Sequence, residues 1–170
     1  MFILICGTSG SGKSQIAEDM LSKFDDTEKF YIATAKIYDD EMKKRVLKHQ
    51  AVRKNKGFIT VEAQTAPLIS EKICNTSILI EALTTWLANE IFDDGKIKRN
   101  AAENIVNEIH ALKKICGNII LVSDDIFSDG VIYDETTEFY IKTLAGLTIK
   151  FADEADEVIE CVAGLPLRLK

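Results

Sequence analysis

Eight residues near the start of the chain have types and spacing that could bind phosphate. An apolar run over residues 2–6 leads into the pattern G-x-x-x-x-G-K-[ST]. The eight residues are Gly7, Thr8, Ser9, Gly10, Ser11, Gly12, Lys13 and Ser14. Glycines let successive backbone N–H groups surround a phosphate, and the start of the following helix adds partial positive charge. The pattern, called a P-loop, predicts that this segment binds a nucleotide.

Two side chains of the P-loop have specific expected roles. Lys13 is expected to reach the β- and γ-phosphate oxygens and to act in catalysis, and the Ser14 hydroxyl is the expected magnesium ligand. A second acid should hold the metal, and Glu81 fits because it ends the apolar run Ser77 to Ile80. We expect that run to form a strand beside the first strand. Asp124 and Asp125 are weaker candidates, and all three acids could instead be ordinary polar residues that end strands.

A predicted helix from Asp39 to Lys54 carries a second group of residues with chemical potential. At 100° per residue, His49 lies on one face with Arg45 one turn before it and Arg53 one turn after it. Two nearby cations favour the neutral imidazole, which could attack a nucleotide α-phosphate. The alternative is a surface histidine among solvated bases. The other histidine, His110, is interpreted as structural.

The composition is that of one compact catalytic domain over residues 1–170. The chain is 46% hydrophobic and has a net charge of -6, which argues against a general nucleic-acid partner. Seven basic residues nevertheless fall between Lys43 and Lys56 without an acid, and that window could face phosphates. The four cysteines are expected to be reduced thiols in the core. The sequence predicts neither a signal peptide nor membrane insertion, and a cytoplasmic location is expected.

Strand and helix patterns alternate along the chain, which predicts an α/β fold with a parallel sheet and helices on both faces. The strands are expected at 29–34, 77–81, 118–123 and 157–163, in addition to the first run, and residues 58–61 are expected to form a short extended segment. Helices are expected after the P-loop and at 39–54, 68–74, 84–92, 101–115 and 135–152, with Pro67 opening the third of these and a turn at 93–95.

Taken together, these blocks resemble one enzyme family, the bifunctional adenosylcobinamide kinase / adenosylcobinamide-phosphate guanylyltransferases of cobalamin biosynthesis. The residues that carry the resemblance are Gly7 to Ser14; Tyr31 to Ala35; Asp39 to Met42 with Arg45 and His49; Thr60 to Glu62; Glu81 to Asn89; Ala155 to Val158; and Val162 to Lys170.

The resemblance implies a RecA-like P-loop fold and two reactions. ATP or GTP would phosphorylate the aminopropanol hydroxyl of adenosylcobinamide with Mg²⁺, and GTP would then donate GMP through a guanylyl-histidine at His49. It also implies that Arg45, Arg53 and Glu62 help to bind the nucleotide. Family members are similar in forming small homo-oligomers, often trimers.

The chain departs from the family pattern at three places. The P-loop has Gly10 where the family usually has arginine, residues 124–130 differ from the family's Asn-Glu-Val-Gly segment, and residues 148–150 replace an Asn-Gln-Arg triplet. Two other functions therefore stay open. One is a P-loop small-molecule kinase without guanylyltransferase activity, and the other is a non-catalytic nucleotide-binding regulatory protein.

Overall fold

The computed structural model describes residues 1–25, 28–36, 47, 56–66, 74–92, 97–127 and 130–170. Seven strands and four helices are defined within these ranges. In chain order they are β1 (Phe2–Gly7), α1 (Lys13–Ser22), β2 (Lys29–Ala33), β3 (Phe58–Glu62), β4 (Ser77–Glu81), α2 (Leu83–Ile91), α3 (Ala101–Ile115), β5 (Asn118–Asp124), α4 (Glu135–Glu154), β6 (Glu157–Val162) and β7 (Leu165–Arg168).

All seven strands belong to one sheet, in the order β3-β2-β4-β5-β1-β6-β7. The first six strands are mutually parallel, and β7 pairs antiparallel with β6. The P-loop strand β1 thus lies inside the sheet, between β5 and β6. Because parallel strands share one direction, the loops that follow β1, β2, β4 and β5 all emerge at the same edge of the sheet.

Helices cover both faces of the sheet, as predicted. On one face, Ala17 and Leu21 of α1 pack on Ile3 and Ile5 of β1. On the other, residues of α2, α3 and α4 form a larger cluster around Trp86, whose side chain is fully buried. The central strands are buried on both faces, which explains why their sequences are continuous apolar runs rather than alternating ones.

Most predicted elements occur within one or two residues of their expected bounds. Strand β2 ends one residue early and α4 runs two residues further than expected. The predicted helix over 39–54 lies outside the described residues except at Leu47, which is helical. Residues 67–73 and the predicted turn at 93–95 also lie outside them. Cys74, expected at the end of a helix, is in a turn.

The last strand of the sheet was not predicted. The sequence predicts a core strand over 157–163 as the last element of the fold. Instead, the chain turns at Ala163 (φ 50°) and Gly164 (φ 81°) and pairs with β6 as the further strand β7. Two consecutive left-handed residues form the tight turn of a two-residue hairpin. The strand has only four residues, Leu-Pro-Leu-Arg, all of them exposed, so it is shorter than the buried strands and is interrupted by a proline. Its Pro166 is tolerated because β7 is an edge strand.

None of the helices in the described parts of the chain is long and apolar enough to cross a membrane.

Candidate active site

The P-loop joins β1 to α1, and two of its glycines adopt left-handed backbone conformations. Gly10 and Gly12 have φ angles of 74° and 91°, in the left-handed region that residues with a Cβ rarely adopt. A Cβ on Gly12 would also come within 3.2 Å of Gly164 Cα in the β6–β7 turn. That turn is tied to the loop by a 2.9 Å hydrogen bond from Gly164 N–H to Ser11 O. The β6–β7 hairpin therefore packs against the P-loop at Ser11 and Gly12 and supports its conformation.

One hydroxyl in the loop is buried and has no hydrogen-bond partner. Ser11 is 5% exposed, and its Oγ is the one buried side-chain polar atom among the described residues that has no hydrogen-bond partner. A buried hydroxyl without a partner costs free energy, and polar groups of this kind mark ligand or water sites. Its position in the loop fits the binding of an oxyanion.

The ammonium group of Lys13 lies under the loop and is nearly buried. Its Nζ donates to Thr8 O at 2.9 Å and forms an ion pair with Asp124 Oδ1 at 2.6 Å. Asp124 ends β5, directly beside Gly7 at the end of β1. The weaker sequence candidate Asp124 therefore contacts the P-loop lysine rather than the serine.

The structure brings together Ser14 and Glu81, the two residues that the sequence predicts as magnesium ligands. Ser14 Oγ donates a hydrogen bond to Glu81 Oε1, and the buried Tyr31 hydroxyl donates to Glu81 Oε2. The carboxylate is thus held at both oxygens. Sequence reasoning assigned no role to Tyr31, although its position in β2, two residues before that strand's carboxyl end, was a usable signal.

The expected position of Glu81 in the sheet was wrong. Its strand β4 does not neighbour β1, because β5 lies between the two strands. Glu81 still reaches Ser14 because α1 packs across the face of the sheet formed by β1, β5 and β4. The first turn of α1 therefore carries the serine hydroxyl over β5 to the end of β4.

The backbone after Glu81 is held by a buried threonine. The Glu81–Ala82 peptide bond is cis. Thr34 Oγ1 accepts from Ala82 N–H at 2.9 Å and lies 2.7 Å from Thr85 Oγ1. Asn89 of α2 donates to Thr34 O at 2.7 Å. The sequence points to these three residues, Thr34, Thr85 and Asn89, only through the family resemblance. The structure shows that they position the end of β4.

Asp124 and Asp125 have different surroundings. Thr84 Oγ1 donates to Asp124 Oδ2 at 2.6 Å, so both oxygens of that carboxylate are engaged. Asp125 N–H donates to Gly7 O at 2.9 Å, and its side chain accepts from Phe127 N–H at 3.1 Å. The Tyr140 hydroxyl donates to Thr84 O at 3.0 Å, and burial, reinforced by the charge of Asp124, raises the pKa of Tyr140 to about 12.

Four further predicted site residues need separate treatment, because three of them fall outside the part of the chain that the structure describes. His49, Arg45 and Arg53 lie outside the described residues. Glu62 ends β3 at the same sheet edge, but β2, β4 and β5 separate β3 from β1. At about 4.8 Å per strand, roughly 19 Å separates β3 from β1, and a contact of Glu62 with the nucleotide stays a prediction.

His110 lies away from this edge, as its structural interpretation requires. Its Nε2 is 2.9 Å from Glu154 Oε2, which connects α3 to the end of α4. Burial raises the pKa of Glu154, but hydrogen bonds from His110, Lys150 and Lys113 outweigh it and lower that pKa to about 2. Of the divergent residues 148–150, Thr148 faces the sheet, with its Oγ1 3.5 Å from Ser123 Oγ of β5, and the other two are exposed.

All four cysteines are thiols, and their expected place in the core is correct only in part. Cys161 is buried and Cys6 and Cys116 are half-buried, whereas Cys74 is exposed in the turn before β4. Burial raises the pKa of both Cys6 and Cys116 to about 11, so these two thiols stay protonated at neutral pH. Cys74 was misassigned because apolar neighbours in sequence do not by themselves bury a turn.

The sheet, the P-loop and the Ser14–Glu81 pair define the class of this protein, a RecA-like P-loop nucleotide-binding protein. The KaiC-like protein PH0186 from Pyrococcus horikoshii OT3 has a similar fold, with a TM-score of 0.53 and 13% sequence identity over 94% of this chain and 71% of that chain. A likeness at that identity concerns the fold alone.

The family follows from the sequence comparisons. The model of the CobU family, described as cobinamide kinase / cobinamide phosphate guanyltransferase, matches residues 3–169, and the chain belongs to this family. The bifunctional adenosylcobalamin biosynthesis protein CobP of Pseudomonas aeruginosa is 33% identical over 98% of this chain and 96% of its own length. The bifunctional adenosylcobalamin biosynthesis protein CobU of Escherichia coli is 31% identical over the full length of both chains. The protein is therefore an enzyme of the kinase and nucleotidyltransferase class that acts in cobalamin biosynthesis, which confirms the resemblance.

Proposed function

We propose that this chain carries out both transfers at a single nucleotide site. In the first, a nucleoside triphosphate, ATP or GTP, phosphorylates the aminopropanol hydroxyl of adenosylcobinamide. In the second, GTP transfers GMP to the new phosphate through a guanylyl-histidine at His49. The observation that carries the proposal is the arrangement of Lys13 and the Ser14–Glu81 pair around a glycine-rich loop with an unpartnered buried donor, Ser11 Oγ.

The P-loop side chains fit a triphosphate with a magnesium ion. Backbone N–H groups of the loop and the hydroxyl of Ser11 would bind phosphate oxygens, and Lys13 would neutralise the charge that develops on the transferred group. Ser14 and Glu81 would hold Mg²⁺, because a hydroxyl and a carboxylate are the hard oxygen ligands it prefers. The ion would neutralise phosphate charge, and Tyr31 would orient Glu81 toward it.

The second transfer needs a nucleophile that the P-loop does not supply. A neutral ring nitrogen of His49 would form a bond to the α-phosphorus of GTP as the bond to the pyrophosphate oxygen breaks, so pyrophosphate leaves and a phosphoramidate remains. A phosphate oxygen of the corrinoid substrate would then displace the histidine. Arg45 and Arg53 would offset charge on the phosphate oxygens, and Glu62 would contact the nucleotide away from its phosphates.

The acceptor and the assembly state are further parts of the proposal. Family membership supports adenosylcobinamide or a related corrinoid as acceptor. A small homo-oligomer, such as a trimer, and a cytoplasmic location rest on the resemblance, and a single catalytic domain is supported by the common sheet that all described strands join. Sedimentation equilibrium of the purified protein tests the assembly state.

Intact-mass spectrometry after incubation with GTP and Mg²⁺ tests the proposed nucleophile. The parent protein should gain the mass of one GMP, and the adduct should be labile in acid and stable in base. His49→Ala should show no adduct but should still phosphorylate adenosylcobinamide. Lys13→Ala is the matched control, since it should lose both the adduct and the kinase reaction while remaining folded.

Other outcomes would favour the alternatives. An adduct that persists in His49→Ala excludes His49 as the nucleophile. Phosphorylation of adenosylcobinamide without any adduct in the parent protein would identify a kinase that lacks guanylyl transfer. Nucleotide binding without either reaction would indicate a non-catalytic nucleotide-binding protein.

A further inference from the structure

Lys13 is expected to bind the phosphates of a triphosphate, but in this structure its ammonium group forms an ion pair with Asp124. Lys13 Nζ lies 2.6 Å from Asp124 Oδ1 and 2.9 Å from Thr8 O. The lysine side chain is 7% exposed, whereas that of Asp124 is 30% exposed. A buried ammonium requires a counter-charge, and in this arrangement Asp124 supplies it.

Asp124 is fixed in place by contacts other than its ion pair with Lys13. Thr84 Oγ1 donates to its second oxygen at 2.6 Å, and Tyr140 in turn donates to Thr84 O. Its backbone is in register with Gly7, the first residue of the P-loop. A carboxylate held from both sides cannot move away from the lysine without breaking a hydrogen bond.

We propose that Asp124 sets the nucleotide affinity of the P-loop by competing with the triphosphate for Lys13. This inference rests on the proposed nucleotide site. If Lys13 turns to the phosphates, the ion pair is lost. Lys13 could instead donate to the Asp124 carboxylate and to a phosphate oxygen through separate N–H groups. The two negatively charged groups would then lie close enough to repel each other. In either geometry Asp124 lowers the affinity.

The competition has a use in an enzyme with two successive transfers. The site must release its spent nucleotide before the next one enters, and tight binding of products would slow that exchange. As a product leaves, Asp124 returns a counter-charge to the buried ammonium, so the empty site is stabilised. Asp124 is therefore a residue that adjusts affinity and release rather than one that takes part in the chemistry.

Calorimetric titration of Asp124→Asn against the parent protein tests the inference. Asparagine keeps the shape and can still accept from Thr84, but it removes the charge. With non-hydrolysable GTP and ATP analogues, the variant should bind about tenfold more tightly, both in EDTA and with Mg²⁺, because a charged hydrogen-bonded pair no longer has to be broken. Asp125→Asn removes the neighbouring charge, and its affinity should stay within about twofold of the parent.

Thermal unfolding separates this role from a purely structural one. The melting temperature of Asp124→Asn should fall in the absence of nucleotide and match that of the parent at saturating nucleotide, whereas a structural role would lower both equally. Equal affinities of the parent and Asp124→Asn would overturn the inference. Weaker binding only in Mg²⁺ would place Asp124 on the metal instead, and weaker binding in both conditions would make it a direct support of the site. Absence of nucleotide binding by the parent would reject the proposed function itself.

Discussion

The carboxylate of Glu81 is held in one orientation by two side chains. One carboxylate oxygen accepts from Ser14 and the other from Tyr31, which is 1% exposed. A glutamate at the end of a strand has several rotamers, and two hydrogen bonds select one of them. The acid is therefore positioned before a metal or nucleotide arrives, which reduces the entropy lost on binding.

We expect Tyr31→Phe to raise the magnesium concentration needed for half-maximal kinase activity by about tenfold. The ring stays buried and the fold is retained, but Glu81 loses one charge-assisted hydrogen bond, for which about 1.5 kcal/mol is the lower end of the typical range. Initial rates measured over a magnesium titration give the comparison. Thr143→Ala removes a partly buried hydroxyl whose partner is Phe139 O in the same helix, so it should leave the magnesium dependence as in the parent. If Tyr31→Phe does the same, Tyr31 does not position the acid.

At the scale of elements, the P-loop depends on a hairpin from the other end of the chain. The β6–β7 turn approaches the loop at Gly12 and bonds to it at Ser11. A loop that wraps phosphate through its backbone must keep a single shape, and a loop without a packed neighbour would sample several. The terminal hairpin thus contributes to the site although none of its residues is expected to touch the nucleotide.

Paired alanine substitutions in the loop measure this support. Gly10 and Gly12 both have left-handed φ, but a Cβ on Gly10 would meet nothing within 4 Å, whereas one on Gly12 would meet Gly164 at 3.2 Å. In urea unfolding without nucleotide, Gly10→Ala should cost about 1 kcal/mol from backbone strain. Gly12→Ala should cost roughly 2 kcal/mol, because the contact adds to the same strain. If both variants lose the same free energy of unfolding, the hairpin turn moves away from the added methyl group and does not support the loop.

At the scale of the whole molecule, the helices on the face opposite α1 must stay docked for the sheet edge to keep its geometry. The ends of α3 and α4 are joined by an ionic cluster in which Glu154 contacts His110, Lys113 and Lys150. The Glu154 side chain is 22% exposed, so solvent screening limits its contribution to about 1 kcal/mol. The cluster secures the outer helices without touching the site.

The pH dependence of stability should report this cluster. The pKa of Glu154 is lowered from 4.5 to about 2 in the folded chain, so its contribution is complete above pH 4.5 and is lost as the pH falls toward 2. Glu154→Gln should therefore be less stable than the parent by about 1 kcal/mol at pH 7 in denaturant unfolding. The difference should shrink below pH 4.5. Glu138→Gln breaks an exposed pair with Lys142 and should change stability by only a few tenths of a kcal/mol. A Glu154→Gln difference that persists at pH 2 would assign the effect to packing.

The sequence alone determined the P-loop, the positions of five strands, one further extended segment and four helices, and the acid that meets Ser14. These features are local, because a glycine pattern, an apolar run or a helical period is written in consecutive residues. The tertiary structure decided what depends on strand order. It placed β5 between β4 and β1, which brought Asp124 to Lys13, and it added β7, a short exposed edge strand that contains a proline. Strand order arises from crossovers between distant segments, and so no local pattern encodes that Asp124 neighbours the P-loop lysine while Glu81 reaches the serine from one strand further away.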